Sequence, residues 1–297
     1  MIIVKLQGGL GNQMFQYAAA KSLVTGNASV LLDYSFLSAH TESKVGFTAR
    51  SFELGIFRHL KAKTASKWHL DYSKGTFLYN KILRNLLGHT PVIIQQRGME
   101  YIDISPYKFS GCYLDGYFQS EKHFVAIQDK IKNDFTFPEL DKFNDQLKHR
   151  ILSLENAVSL HIRRGDYLKS KQAENTHGIV PIAYYQMAIK DLRMKYPLAE
   201  LFVFSDDISW AKTNLLGSGL KLNFIDGNCG RDSWKDMALM SCCKHHIIAN
   251  SSFSWWGAWL SESNGQTYAP YKWFNPDFVE FKIEDFVPQN WTVLVYD

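Results

Sequence analysis

The chain has 297 residues, 46% hydrophobic and 21% charged, with a formal net charge of +4, the makeup of a folded soluble protein with one large core or two modest ones. Such mild basicity suits a phosphate-bearing ligand and does not call for nucleic acid. No apolar run approaches the ~20 residues that span a bilayer, and "MIIVKLQGG" lacks the basic and apolar regions of a signal peptide, so a cytoplasmic location is expected.

The first unit reads as strand, turn, helix, strand. "IIVKL" alternates Ile2, Val4 and Leu6, "QGGLGNQ" turns, and "MFQYAAAKSLV" continues at helical spacing. "SVLLDYS" is a second buried strand ending at Asp33. Residues 41–111 pattern weakly, as short amphipathic helices and basic loops. Between residues 58 and 87, Arg58, Lys61, Lys63, Lys67, Lys74, Lys81 and Arg84 face a single acid, Asp71. "GCYLDGYFQSEKHF" follows a short strand, and residues 138–156 give a polar helix.

The second half restarts the rhythm. "AVSLHI" is a strand, and Pro181 opens the helix "IAYYQMAIKDLRMKY". "ELFVFSDD" and "KLNFID" are strands, "SWKDMALMSCCK" a helix, "HIIAN" a strand, "SFSWWGAWLSE" a helix and "GQTYAP" a last strand. Alternating strands and helices predict parallel sheets of Rossmann type. Two such runs predict two domains, residues 1–150 and 151–297.

Ligands of open parallel sheets sit beyond the carboxyl ends of the strands. Four polar turns fall there: "GGLGNQ", "RRGDY", "SDD" and "NSSFS". Each also has an ordinary structural role. Gly8, Gly9 and Gly11 make a tight turn, and Asn12, Asp206, Asp207, Ser251 and Ser252 are residue types that cap helices. Occurring together, with an arginine pair among them, they point to a site. "GGLGNQ", followed by Asp33 at the next strand end, also resembles a dinucleotide fingerprint, but Met14 stands where that fingerprint has its third glycine.

Strand alternation sets Val158, Leu160 and Ile162 on one face, and His161 and Arg163 on the other. A guanidinium at a strand end, beside a helix N-terminus such as the one at "NSSFS", suits a diphosphate and can hold it without a metal. Consistent with that, the sequence contains no Asp-x-Asp. Cys112, Cys229, Cys242 and Cys243 have no framework spacing and read as reduced thiols. Cys242, Cys243, His245 and His246, as near neighbours on a helix, would point in different directions rather than converge on a metal.

"LQGGLGNQMFQYAAAKSL", "HIRRGDY", "FSDD" and "ANSSFSWWGAWL", in this order, closely resemble the α1,2-fucosyltransferases of glycosyltransferase family 11, over almost the whole chain. The resemblance implies a GT-B-like α/β fold, two Rossmann-like domains facing across a cleft. It implies GDP-β-L-fucose as co-substrate, inversion at the anomeric carbon, no metal or other cofactor, and transfer to the 2-hydroxyl of a galactose, in surface-glycan (O-antigen) synthesis. The acceptor would be a galactose-terminated oligosaccharide or lipid-linked glycan, received mainly by the first domain, and the second domain would bind GDP. By likeness to more distant fucosyltransferases, His161 and Arg163 match a strand-end His-x-Arg with Arg163 on the β-phosphate. Asp236 matches an acid that reads guanine, or is simply a helix-surface acid. Ser251, Ser252 and Phe253 match the diphosphate turn, Asn12 reaches the reacting sugar, and Gly9, Gly11, Asp206 and Asp207 border the nucleotide.

The base for the acceptor hydroxyl stays open. Asp166 either takes the proton or holds Arg163 or Arg164, Asp115 is a weaker candidate, and His161 either orients the arginine or takes a proton. The departing phosphate can also serve, with no dedicated base. Two rival classes are a nicotinamide oxidoreductase and a non-catalytic carbohydrate-binding module. The second would use Trp255, Trp256 and Trp259, whose helical spacing more often means core packing. A lipid-linked acceptor would bring the basic segment against an anionic membrane face.

Overall fold

Short apolar runs separated by helices leave each strand few options but pairing in parallel, buried on both faces. The computed structural model shows this arrangement twice. It describes residues 1–26, 28–44, 48–75, 80, 82, 86, 91–165 and 175–296. The chain divides into two compact units, Met1–Pro138 and Glu139–Asp297.

In the first unit, β1 (Ile2–Lys5), β2 (Val30–Asp33), β3 (Ala62–Thr64), β4 (Val92–Gln95) and β5 (Cys112–Asp115) form one sheet in the order β3-β2-β1-β5-β4. All pairs are parallel. Helix α1 (Leu10–Leu23) crosses from β1 to β2 and is buried almost all round. Its two buried glutamines are therefore paired on both sides of the amide. Gln13 Nε2 donates to the carbonyls of Gly8 (2.9 Å) and Ser51 (2.7 Å), and its Oε1 accepts from Glu53 N–H (2.9 Å). Gln16 accepts from Gln7 N–H and donates to the Gly116 carbonyl. Short helices α2 (Ser35–Ala39), α3 (Lys67–Lys74) and α4 (Gln128–Asp134) belong to the same unit.

The second unit begins with α5 (Lys142–Ser153), capped by Asp141, which accepts from Phe143 and Asn144 N–H. Its strands are β6 (Ala157–Ile162), β7 (Glu200–Ser205), β8 (Lys221–Ile225), β9 (His245–Ile247), β10 (Thr267–Pro270) and β11 (Thr292–Leu294). They form one parallel sheet in the order β11-β10-β9-β6-β7-β8. One face packs Val158, Leu160 and Ile162 of β6, and Leu201 and Val203 of β7, under α6 (Ile182–Lys195) and α7 (Ile208–Asn214). The other packs Ala157, Phe202 and Phe204 with Ile151 of α5 and Leu239 and Met240 of α8 (Trp234–Ser241). The expected alternation in β6 is present, and it puts His161 on the α8 face. Helices α9 (Ser252–Trp259) and α10 (Ile283–Phe286) follow in the same unit.

The boundary expected after residue 150 falls inside α5. That helix belongs wholly to the second unit, because Ile151 enters its core and Lys235 of α8 bonds the capping Asp141 at 2.9 Å. Three edge strands, β3, β4 and β11, go beyond the sequence reading. Each is short, and Val92 and Ile93 of β4 are 36% and 52% exposed, so none carries a buried apolar run. "CYLD" is itself the strand β5, paired between β1 and β4.

Candidate active site

The site is built where β6 and β7 end. Arg163 follows Ile162, the last residue of β6, and Asp206 follows Ser205, the last of β7. Asp206 Oδ1 accepts from the backbone N–H groups of Arg164 (2.9 Å) and Gly165 (3.0 Å), while its Oδ2 lies 3.4 Å from Arg163 Nε. Burial alone would raise the Asp206 carboxyl. The Arg163 guanidinium and the two N–H groups outweigh burial and hold it below the ordinary carboxylate range. Gly165 suits this close approach, because a Cβ would sit a tight 3.1 Å from the Asp206 carbonyl oxygen.

The two arginines part company. Arg164 lies over the Trp210 ring at 4.8 Å, with Nε 3.8 Å from Asp207 Oδ2. Asp207 in turn caps α7, accepting from Trp210 N–H at 3.0 Å. Arg164 is thus an anchor, and Arg163 the guanidinium that shares its strand face with His161. The His161 ring is 5% exposed and packs 5.8 Å from Phe253. Burial, reinforced by Arg163 and opposed by Asp206, drives its pKa far down, so the imidazole is neutral.

Next in the sheet, β9 leads into α9. Ser251 caps this helix, its Oγ accepting from Phe253 N–H at 3.3 Å. The helix is immobilised by its tryptophans: Trp255 and Trp256 are fully buried and Trp255 Nε1 donates to the Phe286 carbonyl at 2.7 Å. A rigid N-terminus beside Arg163 concentrates positive potential at one place. The same burial removes these tryptophans as a sugar-stacking platform.

Beyond β8, Asp236 lies in the first turn of α8, half-buried and hydrogen-bonded. Asn228 Nδ2 donates to its Oδ1 at 2.8 Å, and Asn228 is held in turn by a reciprocal amide pair with Asn144 (2.8 and 3.0 Å). Burial, with Asp226 adding to it against the Asn228 bond, pushes the Asp236 carboxyl up to about 7.

A family model described as Glycosyl transferase family 11 matches residues 1–295. The chain belongs to glycosyl transferase family 11. It is 32% identical to the alpha-1,2-colitosyltransferase of Escherichia coli, over 98% of both chains. It is 35% identical to the O-antigen biosynthesis glycosyltransferase WbnK of Escherichia coli, over 91% of this chain and 93% of that one. Among solved structures, a mutant of Arabidopsis thaliana FUT1 in complex with GDP matches 93% of this chain and 71% of its own, with a TM-score of 0.50 and 12% identity. That likeness concerns the fold, which is α/β and GT-B-like, with two parallel sheets.

In this family 11 glycosyltransferase, His161, Arg163, Asp206, Asp207, Ser251, Ser252 and Phe253 lie on the carboxyl edge of the second sheet, with Asp236 on the same edge past β8. Asn12, Gly9 and Gly11 belong to the first unit. There the end of α1 is already occupied: Glu53 Oε2 accepts from Leu10 N–H at 3.0 Å, and Arg50 lies against Gly9. Asn12 Oδ1 accepts from Gln119 Nε2 at 2.8 Å. Gly8 is the strained position, with φ of 76° and the Asn12 side chain where a Cβ would be. A carboxylate at this helix end leaves the dinucleotide reading of "GGLGNQ" without its anion site. Asp166 lies outside the described residues, as do Lys81 and Arg84. Asp115 pairs with Lys5 at 3.0 Å.

Among the described residues no group of three or more His, Cys, Asp or Glu could hold a metal. His246 Nδ1 bonds Ser159 Oγ at 2.8 Å, and burial raises the Cys243 thiol well above its ordinary value. The sequence reading missed the Asn144–Asn228 support of Asp236 and the clamp at Asn250. Asn250 Nδ2 donates to the carbonyls of His177 (2.8 Å), Gly178 (3.2 Å) and Trp273 (3.3 Å). Only the asparagine opening "NSSFS" hinted at that clamp. No helix among the described residues is long and apolar enough to cross a membrane.

Proposed function

We propose that this glycosyltransferase moves L-fucose from GDP-β-L-fucose to the 2-hydroxyl of a terminal galactose, with inversion and without a metal, in O-antigen assembly. The observation that carries this reading is Arg163, on the strand face of His161 and fixed through Asp206, beside the rigid N-terminus of α9. The acceptor oxygen attacks the anomeric carbon as its bond to the diphosphate breaks, and the electron pair goes to the β-phosphate oxygen. Arg163 and the end of α9 stabilise that growing charge. Asp236 reads guanine through its N1–H and exocyclic amine, and the acceptor is assigned to the first unit. His161, buried and neutral, orients Arg163 and does not take the hydroxyl proton. That proton leaves on the departing phosphate.

The sequence motifs support fucose, and the name of the WbnK relative supports O-antigen assembly. The colitosyltransferase relative favours a second donor reading, a colitosyl group, which is fucose without its 3-hydroxyl. Donor and acceptor are tested together, with GDP-fucose and GDP-colitose against lactose, N-acetyllactosamine and Galβ1,3-GalNAc in excess EDTA. The expected result is an α1,2-fucosylated galactoside at near-full rate. Transfer from GDP-colitose alone would replace the donor, and activity abolished by EDTA and restored by Mg²⁺ or Mn²⁺ would end the metal-free reading.

A further inference from the structure

The strand order of the second sheet reverses between β6 and β9, since the chain runs outward from β6 to β8 and then from β9 to β11. Ligands of such sheets lie across that reversal. Asp236 stands on the β8 side. On the other side, past the ends of β9, β10 and β11, is a cavity of about 300 Å³ lined by His177, Ile179, Val180, Asn275 and Tyr296, among others.

The cavity is built, not incidental. The Asn250 amide clamps the carbonyls of its two walls, at His177 and Gly178 on one side and Trp273 on the other, and Asn275 N–H donates to the Thr176 carbonyl at 3.0 Å. The His177 ring packs 5.4 Å from that of Phe274. Burial, and then the charge of Arg163, push His177 down to about 4, so it is neutral and lies within the field of that guanidinium. A neutral imidazole offers one donor and one acceptor, as a sugar hydroxyl requires. The volume is at the bottom of the ~300–1,000 Å³ range of ligand pockets, enough for one ring and too small for a nucleotide.

We propose that this cavity is the subsite for the transferred sugar, a single 6-deoxyhexose ring with its methyl group toward Ile179 and Val180 and its hydroxyls toward His177 and Asn275. The assignment rests on the donor reading above, in which the diphosphate lies at Arg163 and Ser251 and the base at Asp236. The sugar is then carried to the β9–β11 side.

Titration calorimetry with GDP and with GDP-fucose tests it, on the parent protein, Ile179→Trp and Asn275→Ala. Ile179→Trp fills the cavity, and Asn275→Ala removes a polar wall group while keeping its backbone N–H bond. Both variants should bind GDP as the parent does, which also shows that they fold. Each should bind GDP-fucose more weakly, Ile179→Trp by roughly tenfold or more. Parental binding of GDP-fucose by both variants, with a raised KM for the galactoside instead, overturns the subsite and leaves the donor reading intact. A parent protein that binds neither GDP nor GDP-fucose overturns the donor reading, and the subsite with it.

Discussion

The two sheets end in similar polar turns and use them in opposite ways. In the first unit the turn after β1 closes on the protein itself. Glu53 occupies the end of α1, Gln119 bonds Asn12, Lys5 bonds Asp115, and Asp33 takes both Lys74 (2.9 Å) and Tyr113 (2.6 Å). In the second unit the corresponding edge gathers an arginine, a helix N-terminus, a carboxyl with a raised pKa and a cavity. One strand–turn–helix plan therefore closes on the protein itself in one place and gathers charged and titratable groups at the sheet edge in the other.

Arg163 is where that contrast should cost most. Charge develops on the β-phosphate as the glycosidic bond breaks, so a fixed guanidinium favours the transition state over the ground state. For Arg163→Ala, kcat should fall by roughly 10²–10³, about 3–4 kcal/mol. Arg163→Lys keeps the charge but loses the planar fork and should also be badly impaired. Arg164→Ala should lose less, since Arg164 braces the turn through Trp210 and Asp207. Circular dichroism checks the fold of each variant. A parental rate in folded Arg163→Lys, or Arg164→Ala as the worse alanine variant, would reverse the assignment.

The mirror experiment is in the first unit. Glu53→Ala strips the acceptor from the partly buried Leu10 N–H and should destabilise the protein by about 1–3 kcal/mol in urea unfolding. Its affinity for GDP should equal the parent's. Weakened GDP binding at unchanged stability would make the first turn a nucleotide site after all and dissolve the contrast.

Much of this was legible from local signals. Continuous apolar runs such as "AVSLHI" mark central strands, and Pro181, Asp207 and Ser251 open the helices they precede. The illegible parts are long-range. Glu53 reaches Leu10 across 43 residues, and Asp206 reaches Arg164 and Gly165 across 42 and 41. "SDD" reads equally as cap or ligand contact, and only the fold shows Asp207 capping and Asp206 tying down the arginine turn. The boundary placed at residue 150 falls inside α5 because that helix is polar in composition, and its one fully buried apolar side chain, Ile151, carries no pattern. The edge strands β3, β4 and β11 escaped because exposure removes the apolar run on which strand reading depends, whereas β8, also at an edge, kept enough of its run to be read.

Asp236 offers a gentler probe, through pH. Burial pushes its carboxyl up to about 7. Ionised, it accepts both guanine donors, while protonated it turns one acceptor into a donor. GDP affinity should therefore decline as pH falls through 7, by about tenfold between pH 8 and pH 6. Asp236→Asn should bind GDP weakly, discriminate less against ADP and show no such pH dependence. Calorimetry at several pH values reads both. A flat profile in the parent, or parental affinity in Asp236→Asn, would detach Asp236 from the base.

The smallest expected effect concerns the surface of the first unit around β3, where exposed basic residues cluster. Arg58, Lys61, Lys63 and Lys67 are exposed around the edge strand β3, and Trp68, 54% exposed, stacks flat on Tyr72 with ring centroids 5.3 Å apart. Lysines beside an exposed tryptophan suit a membrane interface, where the ring settles at headgroup level and each cation gains ~1 kcal/mol against anionic lipid. The protein should therefore sediment with anionic vesicles at low salt more than with neutral ones, and high salt should release it. Lys63→Glu with Lys67→Glu should reduce recovery without changing turnover on a soluble galactoside. Equal recovery with both vesicle types would mark these lysines as an ordinary solvated face. In that case a lipid-linked acceptor would have to be found through its sugar alone.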